Sequence, residues 1–350
     1  AAARLEGRTR LFRFEGARWA AVAAAPRMAG EKIDALAVDG RGGVWARSAG
    51  TLFRRLPGEG CLAAVPAPPM GQKGHLYVDG SGRLWVPSVE GLLRQGNGGL
   101  ERMGVREGFP AALLRAVFED REGSLWVAGE GLYRQQGGGA LKGYTTRQGL
   151  PDNAVWTIHR DRRGRLLVGT GNGLAEAAGA GWRLVPGTRH VPVRTISEGP
   201  DGGLFLAGGA EILRLAPSGA LQRFGPAQGV LTAGRIYRLL FDAEGILWAA
   251  TDGGGLLRGE GRGARWTFRR EEIPGGDAHE RFEGLAMDAA GRLWAAGSRG
   301  LALRDGGHWQ RFTSRHGLRA DHVSYVRPLR SGEMLLAYYD PLGVCRLRYE

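Results

Sequence analysis

The residues able to do acid–base, nucleophilic or metal chemistry are few, and none falls in a productive pattern. The seven histidines are His75, His159, His190, His279, His308, His316 and His322. No two stand at the i, i+2 or i, i+4 spacing that brings a pair of imidazoles onto one metal ion. His316 and His322 flank a linker, where a loop role is expected. Cys61 and Cys345 are the two thiols. Two exclude a disulfide scaffold and a multi-cysteine metal site, and leave a single bridge between them open. The sequence has no Gly-x-Ser-x-Gly elbow to present a hydrolase nucleophile, and no Asp-x-Asp-x-Asp calcium loop. Thr251-Asp-Gly-Gly-Gly255 is glycine-dense enough to suggest a phosphate loop, but no strand–loop–helix context surrounds it. The expectation is no catalytic residue, no metal and no cofactor, which shifts attention from reaction to recognition.

Recognition depends on the elements that hold the residues. Glycine makes up 61 of the 350 residues, far above its usual share of roughly 7%. There is no Gly-x-y period, so collagen is excluded, and ordinary apolar and charged fractions argue against disorder. Long helices would suffer from so much glycine, so the excess implies many turns. The net charge is +13, and all but three of the 48 basic residues are arginine. Spread evenly along the chain, they read as solvated cations rather than as a nucleic-acid surface, and no nucleic-acid partner is expected. The longest apolar run is far short of a membrane span. The chain opens Ala-Ala-Ala without Met or a signal-peptide pattern, as expected of a piece of a longer protein.

One pattern recurs eight times. An apolar segment precedes Asp-x-x-Gly, two apolar residues follow with the second often Trp, and a Gly-apolar-apolar-Arg corner comes next. Successive turn glycines are Gly42, Gly82, Gly123, Gly164, Gly202, Gly245, Gly291 and Gly332, about 41 residues apart on average. Gly199 and Leu329 replace the Asp in two units, and Leu167, Phe205 and Leu335 replace the Trp in three. Each unit reads as four short strands, for example 155–160, 166–169, 174–177 and 182–185. Units of this length and content predict an all-β fold, a β-propeller of four-stranded blades treated as one domain over residues 1–350. The Trp residues should pack between blades. Seven units are complete, and the eighth, 322–349, lacks its fourth strand. Trp19–Val22 could supply it, which favours eight blades, with Leu11–Phe14 surplus; a seven-blade ring with an extra unit is the alternative.

The linker Gly149-Leu-Pro-Asp-Asn-Ala-Val155, followed by Ile158-His-Arg-Asp161 and Leu166-Leu-Val-Gly-Thr170, closely resembles the two-component regulator propeller repeat. Gly108-Phe-Pro110, Gly229-Val-Leu231 and Gly317-Leu-Arg319 are weaker copies of the linker. Tyr338-Tyr-Asp-Pro-Leu-Gly-Val344 looks like the end of the first of two tandem propellers. The resemblance implies a periplasmic sensor region of a bacterial membrane receptor whose output is a histidine kinase or a diguanylate cyclase. It implies a carbohydrate ligand or a docked second propeller or protomer, and a membrane connection only through other parts of the receptor.

In such a fold the corners between second and third strands share a face with the linkers into the next first strand. That face would gather Glu130, Asn172, Asp252, Arg299, Tyr339 and Asp340 from corners. Linkers and first strands would add Arg115, Asp152, Asn153, Trp156, Arg194, Arg235, Tyr237, His279, Asp321 and His322. Planar aromatics and forked arginines suit sugar rings and anionic groups. A ligand-sensing module without enzymatic activity is the leading expectation. A structural propeller that binds only proteins, and a propeller lyase or hydrolase with a His–carboxylate pair, are the alternatives.

Overall fold

In the structure, a computed structural model, each Asp-x-x-Gly segment closes a β-hairpin. The glycine N–H donates to the carbonyl of the first turn residue in all eight cases, from Gly42 to Asp39 through Gly332 to Leu329. The eight glycines have φ between +76° and +83°, a region that residues with a Cβ avoid. Residues 2–5, 8–15, 18–22, 33–59, 62–70, 75–96, 99–103, 109, 114–120, 123–136, 140–329, 332–339 and 344–349 are described. Asp340, Cys61 and most of the 108–110 linker lie outside them.

The chain divides into two compact units, one of Ala1–Tyr144 with Leu329–Glu350 and one of Thr145–Pro328. The first unit begins with β1 (Ala2–Leu5), β2 (Arg8–Glu15) and β3 (Arg18–Val22), a three-stranded antiparallel sheet. Three four-stranded sheets follow. The first is β4 (Ile33–Val38), β5 (Val44–Ser48), β6 (Leu52–Arg55) and β7 (Ala63–Val65). The second is β8 (Tyr77–Val78), β9 (Leu84–Ser88), β10 (Gly91–Gln95) and β11 (Leu100–Met103). The third is β12 (Leu114–Glu119), β13 (Leu125–Gly129), β14 (Gly131–Gln136) and β15 (Ala140–Tyr144).

The second unit has four such sheets. They are β16 (Val155–Arg160), β17 (Leu166–Thr170), β18 (Gly173–Ala178) and β19 (Gly181–Leu184); then β20 (Thr195–Glu198), β21 (Leu204–Ala207), β22 (Ile212–Leu215) and β23 (Leu221–Phe224). Next come β24 (Ile236–Phe241), β25 (Leu247–Thr251), β26 (Leu256–Arg262) and β27 (Arg265–Arg270). The last is β28 (Phe282–Met287), β29 (Leu293–Gly297), β30 (Gly300–Asp305) and β31 (His308–Phe312). The eighth repeat contributes β32 (Val323–Pro328) to this unit, and β33 (Met334–Tyr338) and β34 (Val344–Leu347) to the first.

The fold is therefore an all-β propeller type built of four-stranded antiparallel blades, seven of them complete among the described residues. The eighth repeat shows three strands. The segment 19–22, expected to supply its fourth, pairs with β2, Phe14 opposite Trp19 and Leu11 opposite Val22. Leu11–Phe14 is thus the partner of that strand rather than surplus.

Second strands are buried along their whole length in every blade, for example Val44–Ser48 and Leu247–Thr251. A strand with both faces covered needs a continuous apolar run, which is what the repeat supplies. Between neighbouring sheets the cores join, as where Phe205 and Ala207 meet Ile236, Leu247 and Trp266.

The five Trp residues do more than fill space. Each indole Nε1 donates to the Oδ2 of the turn Asp six residues earlier: Trp45 to Asp39, Trp85 to Asp79, Trp126 to Asp120, Trp248 to Asp242 and Trp294 to Asp288, at 2.7–2.9 Å. In all five of these units, and at Asp161, Oδ1 accepts the backbone N–H four residues on, as from Gly43 to Asp39 at 2.8 Å. Buried polar groups must be paired, and the two residue types satisfy each other. Where Phe205 replaces Trp no indole needs an acceptor, and Asp201 instead accepts from Gly203 N and Arg214 Nη2.

Candidate functional site

The first strands β16, β20, β24, β28 and β32 of the second unit lie side by side. Three of them begin with a β-bulge, where the register skips between Val155 and Thr157, Ile236 and Arg238, and Phe282 and Gly284. The same skip occurs in the first unit between Ile33 and Ala35 and between Leu114 and Ala116. A bulge leaves one residue unpaired and re-aims its side chain. The residues so released include Trp156, Tyr237, Glu283 and Arg115, each half-buried.

A second repeated position lies one residue before each of the last four first strands of this unit. It holds Arg194, Arg235, Arg281 and His322. The Arg194 guanidinium carbon sits 3.3 Å from the Trp156 ring centroid, and that of Arg235 lies 5.9 Å from the Tyr237 ring. Arg281 Nε is 2.8 Å from Asp252 Oδ1 and its Nη1 is 3.6 Å from Glu283 Oε1, and His322 Nε2 is 3.5 Å from the same Glu283 oxygen. Burial pushes the Tyr237 hydroxyl up, and the neighbouring Asp252 carboxylate adds to it. Arg281 is pushed down by burial, but Tyr237, Asp252 and Glu283 outweigh that and hold it firmly protonated. The result is a ledge of alternating rings, guanidinium forks and carboxylates with fixed positions.

The sequence-derived candidates divide by what they do here. Trp156, Arg194, Arg235, Tyr237, Asp252 and His322 come together on the ledge. Asn153 and Asp321 cap loops: their Oδ1 atoms accept the backbone N–H of Thr146 (2.9 Å) and Ser314 (2.6 Å) at the start of two 3-10 turns. His316 has the loop role expected of it, its Nδ1 accepting Thr313 N–H at 3.1 Å, as Gln148 Oε1 accepts from Thr145. Asp152 caps Ala154 N–H. Asn172 is held between Pro151 O and His190 N. Arg299 pairs with Asp277, whose other oxygen accepts the N–H of exposed His279. These bonds between corners and linkers confirm that the two share one face. Arg115, exposed Glu130 and exposed Tyr339 belong to the other unit.

Arg281 and Glu283 went unread in the sequence. Their linker, Glu271–Glu280, carries no Gly-Leu-Pro mark. The available signal was register: Phe282 aligns with Thr195, Ile236 and Val323, and the residue before each is a cation or histidine.

Beside the ledge, under the same linker, is a cleft of about 460 Å³ floored by Leu256, Ile273 and Phe282. Its carboxylates are largely engaged. Buried Glu280 takes both Arg311 Nη atoms at 2.5 and 2.8 Å, and Glu271 accepts the Trp309 indole at 3.1 Å. Among the described residues no His/Cys/Asp/Glu group has metal-site geometry, and no helix is long and apolar enough to cross a membrane.

Residues 149–172 match the family described as "Two component regulator propeller". No curated protein sequence matches the chain. Among solved structures it is similar to the extracellular domain of BT3049 from B. thetaiotaomicron, described as a hybrid two component system. That match has TM-score 0.58 and 14% identity, and covers 98% of this chain and 54% of that one. The extracellular domain of BT4673 from the same organism matches with TM-score 0.52 and 17% identity over 88% of this chain and 50% of that one. The chain thus spans about half the length of these domains. Virginiamycin B lyase from Staphylococcus aureus, in a catalytically inactive form with quinupristin, matches with TM-score 0.56 and 14% identity over 92% and 96%. At such identities the likeness establishes the fold alone.

Proposed function

We propose that the chain, whose residues 149–172 match the two-component regulator propeller family, is an extracytoplasmic, non-catalytic sensing module of a bacterial two-component-type receptor. The eighth repeat counts as the last blade of this propeller, and a second propeller, outside this chain, is the natural neighbour. The ledge of the second unit is the recognition surface, and its ligand class is a carbohydrate carrying carboxylate groups. One observation carries this reading: bulges release Trp156 and Tyr237 beside a column of Arg194, Arg235 and Arg281. Aromatic faces stack on sugar rings, and guanidinium forks take carboxylates in pairs. Binding here shifts the receptor between arrangements by its differential affinity for them.

The test is a thermal-shift screen of neutral and uronate-bearing oligosaccharides, followed by titration calorimetry. A ligand that binds only the folded chain raises its melting temperature. Acidic sugars should raise it, neutral ones less, and Arg194→Ala or Trp156→Ala should abolish the rise. No shift with any sugar favours a module that only docks proteins. A second reading has its own support in the His322–Glu283 pair, a His–carboxylate arrangement suited to proton abstraction, as in a propeller lyase. Conversion of a bound uronate polymer to unsaturated product, lost in His322→Gln, would establish it.

A further inference from the structure

Three linkers of the second unit fold alike. Each opens on a 3-10 turn, Thr146–Gln148, Pro226–Gln228 or Ser314–His316, closed by a glycine at φ between +87° and +95°. The same backbone bonds recur. Gly149, Gly229 and Gly317 donate to the carbonyls of Thr146, Pro226 and Ser314, and Leu150, Val230 and Leu318 donate to those of Thr145, Gly225 and Thr313. The side chains of Leu150, Val230 and Leu318 are buried, so each turn seats one apolar plug. The residue before each turn aims its N–H at the side chain of the third turn residue. Thr145 N donates to Gln148 Oε1 at 2.8 Å, Gly225 N to Gln228 Oε1 at 3.0 Å, and Thr313 N to His316 Nδ1 at 3.1 Å.

Two of these acceptors are amide oxygens, which accept at any pH. The third is an imidazole nitrogen, which accepts only while it carries no proton. His316 is exposed, so a proton reaches it without any opening of the fold. Its ring meets Thr313 and the edge of Phe312, and among the described residues it makes no ion pair. Thr313 Oγ1, 3.0 Å from Nδ1, can turn from donor to acceptor, but a backbone N–H cannot. Protonation therefore sets Nδ1–H against Thr313 N–H, donor against donor. The other charges nearby are Arg315, Arg319 and Asp321 on the same linker, and Arg311 on β31, which is tied to Glu280. Carboxylates ordinarily titrate near pH 4 and guanidinium groups above about pH 12, so between about pH 5 and 8 only histidine changes charge.

We propose that linker 313–322 is an acid-released latch. Neutral His316 holds the turn closed, and its protonation unfastens Thr313, unseats Leu318 and loosens the Asp321 clamp on Ser314. The two sister linkers, fastened by Gln148 and Gln228, stay closed at the same pH. The opening is local. At the far end of the linker His322 lies 3.5 Å from Glu283, and a proton gained there strengthens that pair, so the start of β32 stays anchored while the turn opens. The latch stands on the capping geometry and does not depend on what the ledge binds.

Residue-resolved amide hydrogen exchange of the full chain, measured at about pH 8 and about pH 5 and corrected for the intrinsic rate, tests the latch across the range where histidine titrates. Protection of Thr313, Gly317 and Leu318 should fall roughly fivefold from the higher to the lower pH, the effect of losing one cap. Thr145, Gly149 and Leu150 should keep theirs. His316→Gln installs the acceptor that Gln148 already provides in the same turn, so it should fold normally and hold 313–318 closed at both pH values. His322→Gln should leave the fall in place. An unchanged wild type would overturn the proposal, as would an equal fall in the Gln148 linker. A fall that survives His316→Gln, or that disappears in His322→Gln, would assign the proton to another group and overturn it as well.

Discussion

The Asp–Trp pairing can be broken at Asp79 with a cost that the geometry fixes. Asp79 accepts from Ser81 N and Oγ, Arg83 N and Nε, and Trp85 Nε1, all at 2.6–3.0 Å. In Asp79→Ala the Ser81 groups and the half-exposed Arg83 guanidinium can turn to water. Trp85, only 4% exposed, and the Arg83 amide cannot. A hydrogen bond to a charged group contributes roughly 1.5–3 kcal/mol, so the two stranded donors predict a loss of about 3–6 kcal/mol. Asp79→Asn keeps one oxygen, and either amide orientation sets an NH₂ against a donor, which predicts about 1.5–3 kcal/mol. Asp161 provides the contrast. Its repeat has Leu167 for Trp, and its Oδ2 faces only Arg165 Nε at 2.7 Å, a side chain free to swing outward. Asp161→Asn should therefore cost less than about 1 kcal/mol. Urea unfolding followed by tryptophan fluorescence measures all three. Equal shifts for Asp79→Asn and Asp161→Asn would refute the view that the indole sets the cost. Burial alone would raise the Asp79 carboxyl, but the bonds from Ser81, Trp85 and Arg83 outweigh it and hold the group below the usual carboxylate range. Its stabilisation is present above about pH 3.9 and is lost as pH falls through the lower folded value, so Asp79→Asn should flatten acid unfolding.

Three further outcomes follow from the second unit. Arg311→Ala strands the buried Glu280 carboxylate and should cost about 3–5 kcal/mol, whereas the double change Arg311→Met with Glu280→Leu should recover most of it; denaturant midpoints decide. Gly229→Ala places a Cβ against the Phe268 carbonyl at φ +87° and should lower the melting temperature more than Gly219→Ala, whose Cβ meets open space. His159 is pushed down by burial, against the opposing pull of Glu198 and Asp161. It folds neutral, so stability is full above about pH 6.5 and declines below as the unfolded chain takes up the proton. His159→Gln should remove that slope in melts between pH 7 and 5, and an unchanged slope would place its origin elsewhere.

Strand order and turn chemistry were legible because they are set by local rules repeated eight times. A glycine at positive φ and an acceptor two to four residues before the donors it serves leave marks at fixed spacing. The indole-to-carboxylate bond is equally regular, Asp at i and Trp at i+6, but in the sequence packing between blades already accounts for the Trp. Asn153 and Asp321 illustrate the opposite case. Each stands eight residues after Thr145 or Thr313 in otherwise parallel linkers, so a side-by-side reading of the two loops reveals the caps. The bulges were not legible, because no residue type marks them: the released position is Asp34, Arg115, Trp156, Tyr237 or Glu283. A repeat can conserve the backbone feature that presents a side chain while leaving the side chain itself free to vary.

That distinction also resolves the arginine excess. The corner arginine of the repeat is the cross-strand partner of the Trp or Phe, as Arg54 is of Trp45 and Arg214 of Phe205. It lies over the ring at 5.0–5.9 Å for Arg54, Arg94, Arg134 and Arg214. Arg83, Arg165 and Arg292 grip the turn aspartates through Nε at 2.7–3.0 Å, and Arg311 anchors a linker. A planar fork that stacks and donates sideways does these jobs, and a lysine ammonium does not. Much of the positive charge is thus a by-product of how the blades are fastened, which explains its even spread along the chain. The charge that speaks to partners is what remains after those duties are subtracted. It is the column Arg194–Arg235–Arg281, whose forks face rings and carboxylates at the bulges.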